Sequence, residues 1–214
     1  MGVKSYTKLC LTFGKQGVVC RGAGELEFPI RLPGWIGDSV SGDDQAGMAL
    51  AVRHLIELGH RHVALIGGDP RVSSARVRRA GFEQGLRDAE LQPTSITEGL
   101  FTFDSGHHQA LALLGNGPRP SAVCAANDLL ALGVLAAAKE LGVRIPEQLS
   151  VIGYDDIAYA RLAAPSLTTI RQPAYGMGEV AARLLLERVA GDDGPKRRIV
   201  MLPELMVRGS TARA

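Results

Sequence analysis

Three cysteines in 214 residues, Cys10, Cys20 and Cys124, form no CxxC pair and cannot all pair with one another. A disulfide framework is therefore not expected, and a reducing compartment fits this usage. Long hydrophobic runs are missing too. The longest, Leu129 to Ala138, is half of the about 20 apolar residues a membrane-spanning helix needs. The apolar stretch after Lys4 and Lys8 is broken by Thr12 and Gly14, too soon for a signal-peptide core. The sequence reads as cytoplasmic, with no membrane association. Charge of one sign is lacking as well: the net charge is +2, which gives no electrostatic argument for nucleic acid. Lysine is nearly confined to the start. Lys4, Lys8 and Lys15 are followed only by Lys139 and Lys196, so the other basic residues are arginines.

What is present is the make-up of a globular protein. The chain is 46% hydrophobic and 21% charged, long enough for one large domain or two modest ones with a core that needs no metal or disulfide. Residues 1–37 stand apart: they hold three of the lysines and two of the cysteines, and no sustained helical or strand periodicity. From Asp43 onward the pattern is regular. Asp43 or Asp44 caps a helix with Met48, Val52, Leu55 and Leu58 on one face and Gly59 as its stop. Val63 to Ile66, closed by Gly67-Gly68, reads as a buried strand. A helix is expected over 76–86, a weaker strand near Leu100 to Phe103, a helix over 107–114 and a strand over 121–125. Asn127 or Asp128 caps a helix carrying Leu130, Val134, Ala138 and Leu141, ended by Gly142. Strands follow at 149–152 and 167–170, and Pro173 opens a last helix with the stripe Met177, Val180, Ala181, Leu184 and Leu185. Alternating strands and helices, with short unpatterned apolar runs, predict an α/β fold: a doubly wound parallel sheet covered by helices on both faces.

Ligands of such sheets sit outside the carboxyl ends of the strands. The segments leaving the strands are Gly67 to Ser74, Ala126 to Asp128, Gly153 to Asp156 and Arg171-Gln172. Their serines, asparagine, aspartates and glutamine, with arginines nearby, suit a neutral polyhydroxylated ligand: carboxylates accept from hydroxyls, a guanidinium donates, and an amide does both. Each residue also has a plainer role. Asn127 and Asp128 serve equally well as helix caps, Asp155 and Asp156 as an Asx turn, Phe101 and Phe103 as core. Arg76, Arg78 and Arg79 read by spacing as a solvated helix face.

Catalytic signatures are missing. There is no GxxxxGK[ST] phosphate loop, no HExxH and no GxSxG elbow. Gly176-Met-Gly178-Glu-Val-Ala181 has the letters of a dinucleotide-binding loop but lies inside a helical stripe, with no acidic residue ending a following strand. His60, His62, His107 and His108 lack a third ligand at metal spacing. No enzyme activity, cofactor or metal is expected.

The runs "HLIELGHRHVALIGG", "SARVRRAGFEQGL", "AANDLLALGVLAAAKELGVRIPEQLSVIGYDDI", "PSLTTIRQP" and "LPELMVRGSTAR" together resemble the lactose-repressor (LacI/GalR) family of bacterial transcription regulators, from about Asp38 to Arg213. The resemblance implies a sensor domain like a periplasmic sugar-binding protein (type I), with two α/β lobes. It implies effector contacts at Ser74 and Arg78, an aromatic contact at Phe101, and polar contacts at Asn127, Asp155 and Gln172. Leu100 departs from the aspartate that family members often carry there. It further implies a C-lobe of 38–172 and 203–214 with an N-lobe remnant at 173–202. No helix-turn-helix is recognisable in residues 1–37, so the chain as written is not expected to bind an operator. The last helix is then expected to lack its sheet. Several side chains worth about 1.5–3 kcal/mol each would lie bare, and marginal stability or self-association would follow. The implied partners are a small-molecule effector, a pentose or hexose, with operator DNA reached only through a headpiece, and a homodimer in the intact repressor. The alternative is a periplasmic-type binding protein for sugar uptake.

Overall fold

The structure, a computed structural model, describes residues 37–115 and 117–214, together with three short strands ahead of them. In chain order the elements are β1 (Cys10–Gly14), β2 (Gly17–Arg21), β3 (Leu26–Phe28), β4 (Asp38–Gly42), α1 (Asp44–Glu57), β5 (Val63–Ile66), α2 (Ser73–Asp88) and β6 (Ser95–Thr97). They continue with α3 (Phe103–Gly115), β7 (Ala122–Ala125), α4 (Asp128–Glu140), β8 (Ser150–Asp155), α5 (Ala158–Leu162), β9 (Thr168–Arg171), α6 (Ala174–Val189), β10 (Arg198–Met201) and β11 (Glu204–Met206). The chain divides into two compact units, Asp44–Gln172 with Pro203–Ala214, and Met1–Asp43 with Pro173–Leu202. Residues 38–43, read from the sequence with the segment that follows them, lie in the second of these.

The larger unit holds a six-stranded sheet in the order β11-β9-β8-β7-β5-β6, parallel except where β11 pairs with β9. Its strands carry no polar alternation because both faces are buried, and the pleat divides their side chains between two cores. Ala64, Ile66, Val123, Ala125 and Val151 pack with Ala110 and Leu114 of α3 and Leu130, Val134 and Ala137 of α4. Val63, Leu65, Ala122, Cys124 and Ile152 pack on the opposite side with Met48, Val52 and Leu55 of α1 and Phe82 and Leu86 of α2. This is the doubly wound arrangement the alternation predicts.

One strand lies elsewhere than expected. The sixth strand is Ser95–Thr97, paired with Ala64 to Ile66, and Leu100 to Thr102 form a loop. Ile96 packs toward the core, whereas Leu100 is 58% exposed. The apolar letters of 100–103 mark a surface loop and the start of α3. The stops at Gly59 and Gly142 take positive φ, 97° and 68°, which a Cβ disfavours. His60, next after the first of these, is buried, with Nδ1 3.0 Å from the Ser121 hydroxyl and Nε2 3.0 Å from that of Ser150.

In the other unit the sheet order is β1-β2-β3-β4-β10, with β3, β4 and β10 parallel. The strands β1 to β3 arise in a stretch without evident strand periodicity; the rest of 1–36 lies outside the described residues. The stripe of α6 does not lack a partner. Met177, Ala181 and Leu184 are buried with Val40 of β4, and Ile199 and Met201 of β10 pack on the same cluster. Asp38 ties the ends of this layer together through Arg188 (2.9 Å) and Arg197 (3.1 Å). Burial pushes its carboxyl up, but the Arg188 and Arg197 hydrogen bonds outweigh that and hold it at about 2.

Candidate functional site

Five parallel strands of the larger unit end at one edge, and the residues read as site candidates gather there. Arg78 stands at its centre. It lies on α2 between Ala75, Phe82 and Leu86, the buried stripe of that helix, and is 5% exposed. Arg76 and Arg79 point elsewhere. Arg76 bonds the Pro70 carbonyl, and Arg79 pairs with Glu83 and Glu98. Spacing alone grouped the three arginines; their phase relative to Ala75, Phe82 and Leu86 is the sequence signal that separates Arg78.

The guanidinium of Arg78 joins three elements. Its Nε donates to Asp44 Oδ1 (3.0 Å) at the start of α1, its Nη1 to the Ala126 carbonyl (2.6 Å) beyond β7, and its Nη2 to Asp155 Oδ1 (3.1 Å) at the end of β8. It also lies 3.8 Å above the Tyr154 ring, a cation–π contact. Gln172 Nε2 donates to the same Asp155 oxygen at 2.8 Å. Asp155 Oδ2 and Gln172 Oε1 have no hydrogen-bond partner among the described residues. Burial raises the Asp155 carboxyl above the usual range, against the Arg78 charge and the Gln172 hydrogen bond, and the Asp44 charge adds to the rise.

Asn127 caps α4 as expected, its Oδ1 accepting from Leu130 N–H at 2.9 Å. Its amide nitrogen has no protein partner among the described residues, so both roles open to it from the sequence are compatible. Asp128, its fellow candidate cap, is instead a buried anchor. It accepts from the Thr169 hydroxyl (2.6 Å) and from Ile157 N–H (2.8 Å). Ser74 lies in the first turn of α2 on the same edge. Phe101 is not on a strand; it sits in the loop after β6, with its ring against Gly68. Arg78, Asp155 and Gln172 therefore form one bonded cluster, and Asn127 adjoins it through Ala126. Ser74 and Phe101 share the edge without a bond to that cluster.

Two participants were given no site role by the sequence reading, and a third, Asp156, was read only as part of an Asx turn. Asp44 was visible only as a helix cap, and its partner lies 34 positions away. Tyr154 lay in the segment leaving the strand at 149–152 and was assigned no contact. Asp156 has φ 55° after Asp155 at 109°, so the chain turns sharply as it leaves β8. The Asp156 carboxylate is sealed between Arg208 (2.5 Å) and Arg171 (2.7 Å). Burial pushes that carboxyl up, but the bonds from the two arginines outweigh it and lower the pKa.

The edge offers open carboxylate and amide groups, a cation already committed to two carboxylates, and an aromatic ring. The family pattern of the periplasmic binding protein-like domain matches residues 52–211. The chain belongs to this family. Within it the chain is of the LacI type. The regulator MalR of Streptomyces coelicolor is 39% identical over 181 residues, covering 82% of this chain and 52% of MalR. The chain thus spans about half the length of that curated relative. A LacI family regulator from Enterococcus faecium, solved with bound ribose, superposes with a TM-score of 0.79 at 31% identity, over 86% of this chain and 68% of that one. A dimeric Lac repressor with a C-terminal deletion gives 0.81 at 33% identity, over 88% and 68%. This LacI-type domain has no helix, among its described residues, long and apolar enough to cross a membrane.

Proposed function

We propose that this chain is the effector-sensing part of a cytoplasmic LacI-type transcription regulator, a repressor whose effector is a neutral sugar, pentose or hexose. The observation that carries the reading is the Arg78–Asp155–Gln172 cluster. One Asp155 oxygen is consumed by Arg78 and Gln172, which fixes the carboxylate and leaves Oδ2 to accept from a sugar hydroxyl. Asn127 Nδ2 donates beside it, and Ser74 both donates and accepts. The Arg78 charge is matched by Asp44 and Asp155, so the edge has no spare cation for an anionic ligand. The ribose bound by the Enterococcus relative supports the ligand class, and the regulators among the relatives favour this role over sugar uptake. The site residues bind and orient; no catalytic role is assigned to them. DNA binding belongs to a helix-turn-helix headpiece of the kind MalR is named for, which effector occupancy of this site biases.

A thermal-shift titration against pentoses, hexoses and purines tests this. A sugar at a hundred times its dissociation constant adds about 2.7 kcal/mol and raises the midpoint by roughly 5–10 °C. Asp155→Asn keeps the side-chain shape and tolerates the positive φ, yet loses the carboxylate, and is expected to abolish the shift. Stabilisation by purines alone, or by a sugar equally in both proteins, defeats the reading.

The repressor is expected to act as a homodimer. Phe103, Leu132, Leu135, Val143 and Ile145 line an apolar groove of about 470 Å³ together with Leu162 and Tyr159 of α5, which stand 78% and 66% exposed. Exposed apolar side chains on the wall of a groove suit a two-fold contact, each copy's Leu162 and Tyr159 packing into the other's groove. Dimers of the Lac repressor relative are in keeping with this. Leu162→Asp is expected to shift the sedimentation profile from dimer to monomer with little change in melting. An unchanged profile, or a monomeric parent, removes this face as the interface.

A further inference from the structure

Gly68 is the second residue after β5 and is buried, and its φ is not in the left-handed region, so the backbone there accepts any residue. The reason for glycine is spatial. A Cβ at this position would fall on the outer rim of the Phe101 ring, against Cε1, Cζ and Cε2, well inside the roughly 3.5 Å at which carbons touch. The far end of a side chain can yield where backbone cannot, so an added methyl group moves the ring rather than the strand.

The backbone that carries the ring is pinned on both sides. Before it, the space above Gly99 is filled by the Ser105 hydroxyl and by Gln109 Nε2, 2.6 Å from where a Cβ would stand. Gln109 in turn accepts from the Thr97 hydroxyl at 2.5 Å and donates to Ser105 at 2.9 Å. After it, the Thr102 hydroxyl accepts from Ser105 N–H at 3.2 Å, and its carbonyl from Gly106 N–H at 3.1 Å. An aromatic ring that is half-buried, in a loop fixed at both ends, is a preorganised surface rather than a flexible lid.

We propose that Gly68 is a positioning residue of the effector site: its missing Cβ is the seat that holds the Phe101 ring at the carboxyl edge of β5, where the ring packs against the effector. The inference rests on the sugar-sensing reading above. The ring meets the apolar C–H face of a sugar while the Asp155 cluster takes its hydroxyls, so a displaced ring weakens binding without altering any hydrogen-bonding group.

The test is a double-mutant cycle on the full chain, by calorimetric titration with D-ribose, D-glucose and cellobiose. With whichever sugar binds, Gly68→Ala is expected to weaken affinity about tenfold and Phe101→Ala at least as much. The double variant is then no more than about twofold weaker than Phe101→Ala alone, because without the ring the methyl group has nothing to displace. Multiplying losses, or an unaffected Gly68→Ala, overturn the role of Gly68 while leaving the sugar reading intact. Saturable binding of none of the three sugars to the parent overturns both. If Gly68→Ala fails to fold, the double variant decides: melting like Phe101→Ala supports the ring contact, and failing likewise assigns Gly68 to the backbone.

Discussion

Replacing Arg78 by alanine is expected to cost about 3–5 kcal/mol of folding stability at neutral pH and to remove effector-dependent stabilisation altogether. The cost comes less from lost attraction than from what is left behind. Asp44 and Asp155, which approach the guanidinium at 3.0 and 3.1 Å, would face each other with no cation between them. The Ala126 carbonyl would lose its 2.6 Å donor. Arg78→Lys tests geometry against charge. An ammonium is a compact point charge and cannot donate along three directions in one plane, so it recovers part of the stability and little of the binding. The acid side gives a second check. Asp155 is already raised by burial. In Arg78→Ala it rises further and binds a proton, so the penalty shrinks as pH falls from neutral toward 5. Arg79→Ala is the control, since Arg79 and Glu98 are exposed and Glu83 is only half-buried, and it should change stability by less than about 1 kcal/mol. Urea unfolding of the three variants at pH 5 and 7 measures all of this. An Arg78→Ala variant within 1 kcal/mol of the parent would show that the carboxylates relax into solvent.

The parts legible in the sequence were those with an unambiguous physical period. Val63 to Ile66 and Ala122 to Ala125 could be read because a strand buried on both faces carries only apolar residues, and α4 because its cap, stripe and glycine stop all agree. Elements with mixed exposure were not read. β10 alternates exposed and half-buried residues, and β11 is only three residues long. Ser95–Thr97 lost to the more apolar 100–103, although only sheet pairing distinguishes a strand from a surface loop there. The missing sheet expected beside α6 was a fold-level inference, and local pairing overturned it: β4 and β10 lie parallel and supply Val40, Ile199 and Met201. For the site, the rule that ligands gather at strand ends located the edge, but the bonds within it cross 17 to 77 positions of sequence. No spacing encodes them. Asp44 could be named only after α1 and α2 were placed side by side.

Asp128 is expected to make the stability of the chain fall as pH rises from about 4 to about 7. It is fully buried at the start of α4, with its two oxygens accepting from Thr169 and Ile157. Burial raises its carboxyl to about 7 against those two hydrogen bonds, and the nearby Asp155 and Asp156 carboxylates add to the rise. An unfolded aspartate titrates near 3.9. Between the two values the folded chain holds a proton that the unfolded chain has lost, and in that window each unit of pH removes about 1.4 kcal/mol of stability. The whole span is worth roughly 4 kcal/mol; above pH 7 the curve is flat as far as this group is concerned. His60 works in the opposite sense. Burial lowers its pKa, so its contribution is lost as pH falls below about 6.5. The two effects overlap, and the parent curve alone does not separate them. Asp128→Asn does. Its amide oxygen can accept from Ile157 N–H while its nitrogen donates to the Thr169 hydroxyl, which reproduces the protonated acid without a titration. At pH 4.5 the variant should match the parent, and at pH 8 it should exceed it by about 3 kcal/mol, with the His60 slope common to both. Parallel stability curves for the two proteins across that range would mean that Asp128 is ionised in the core, held by its two donors and the helix N-terminus alone.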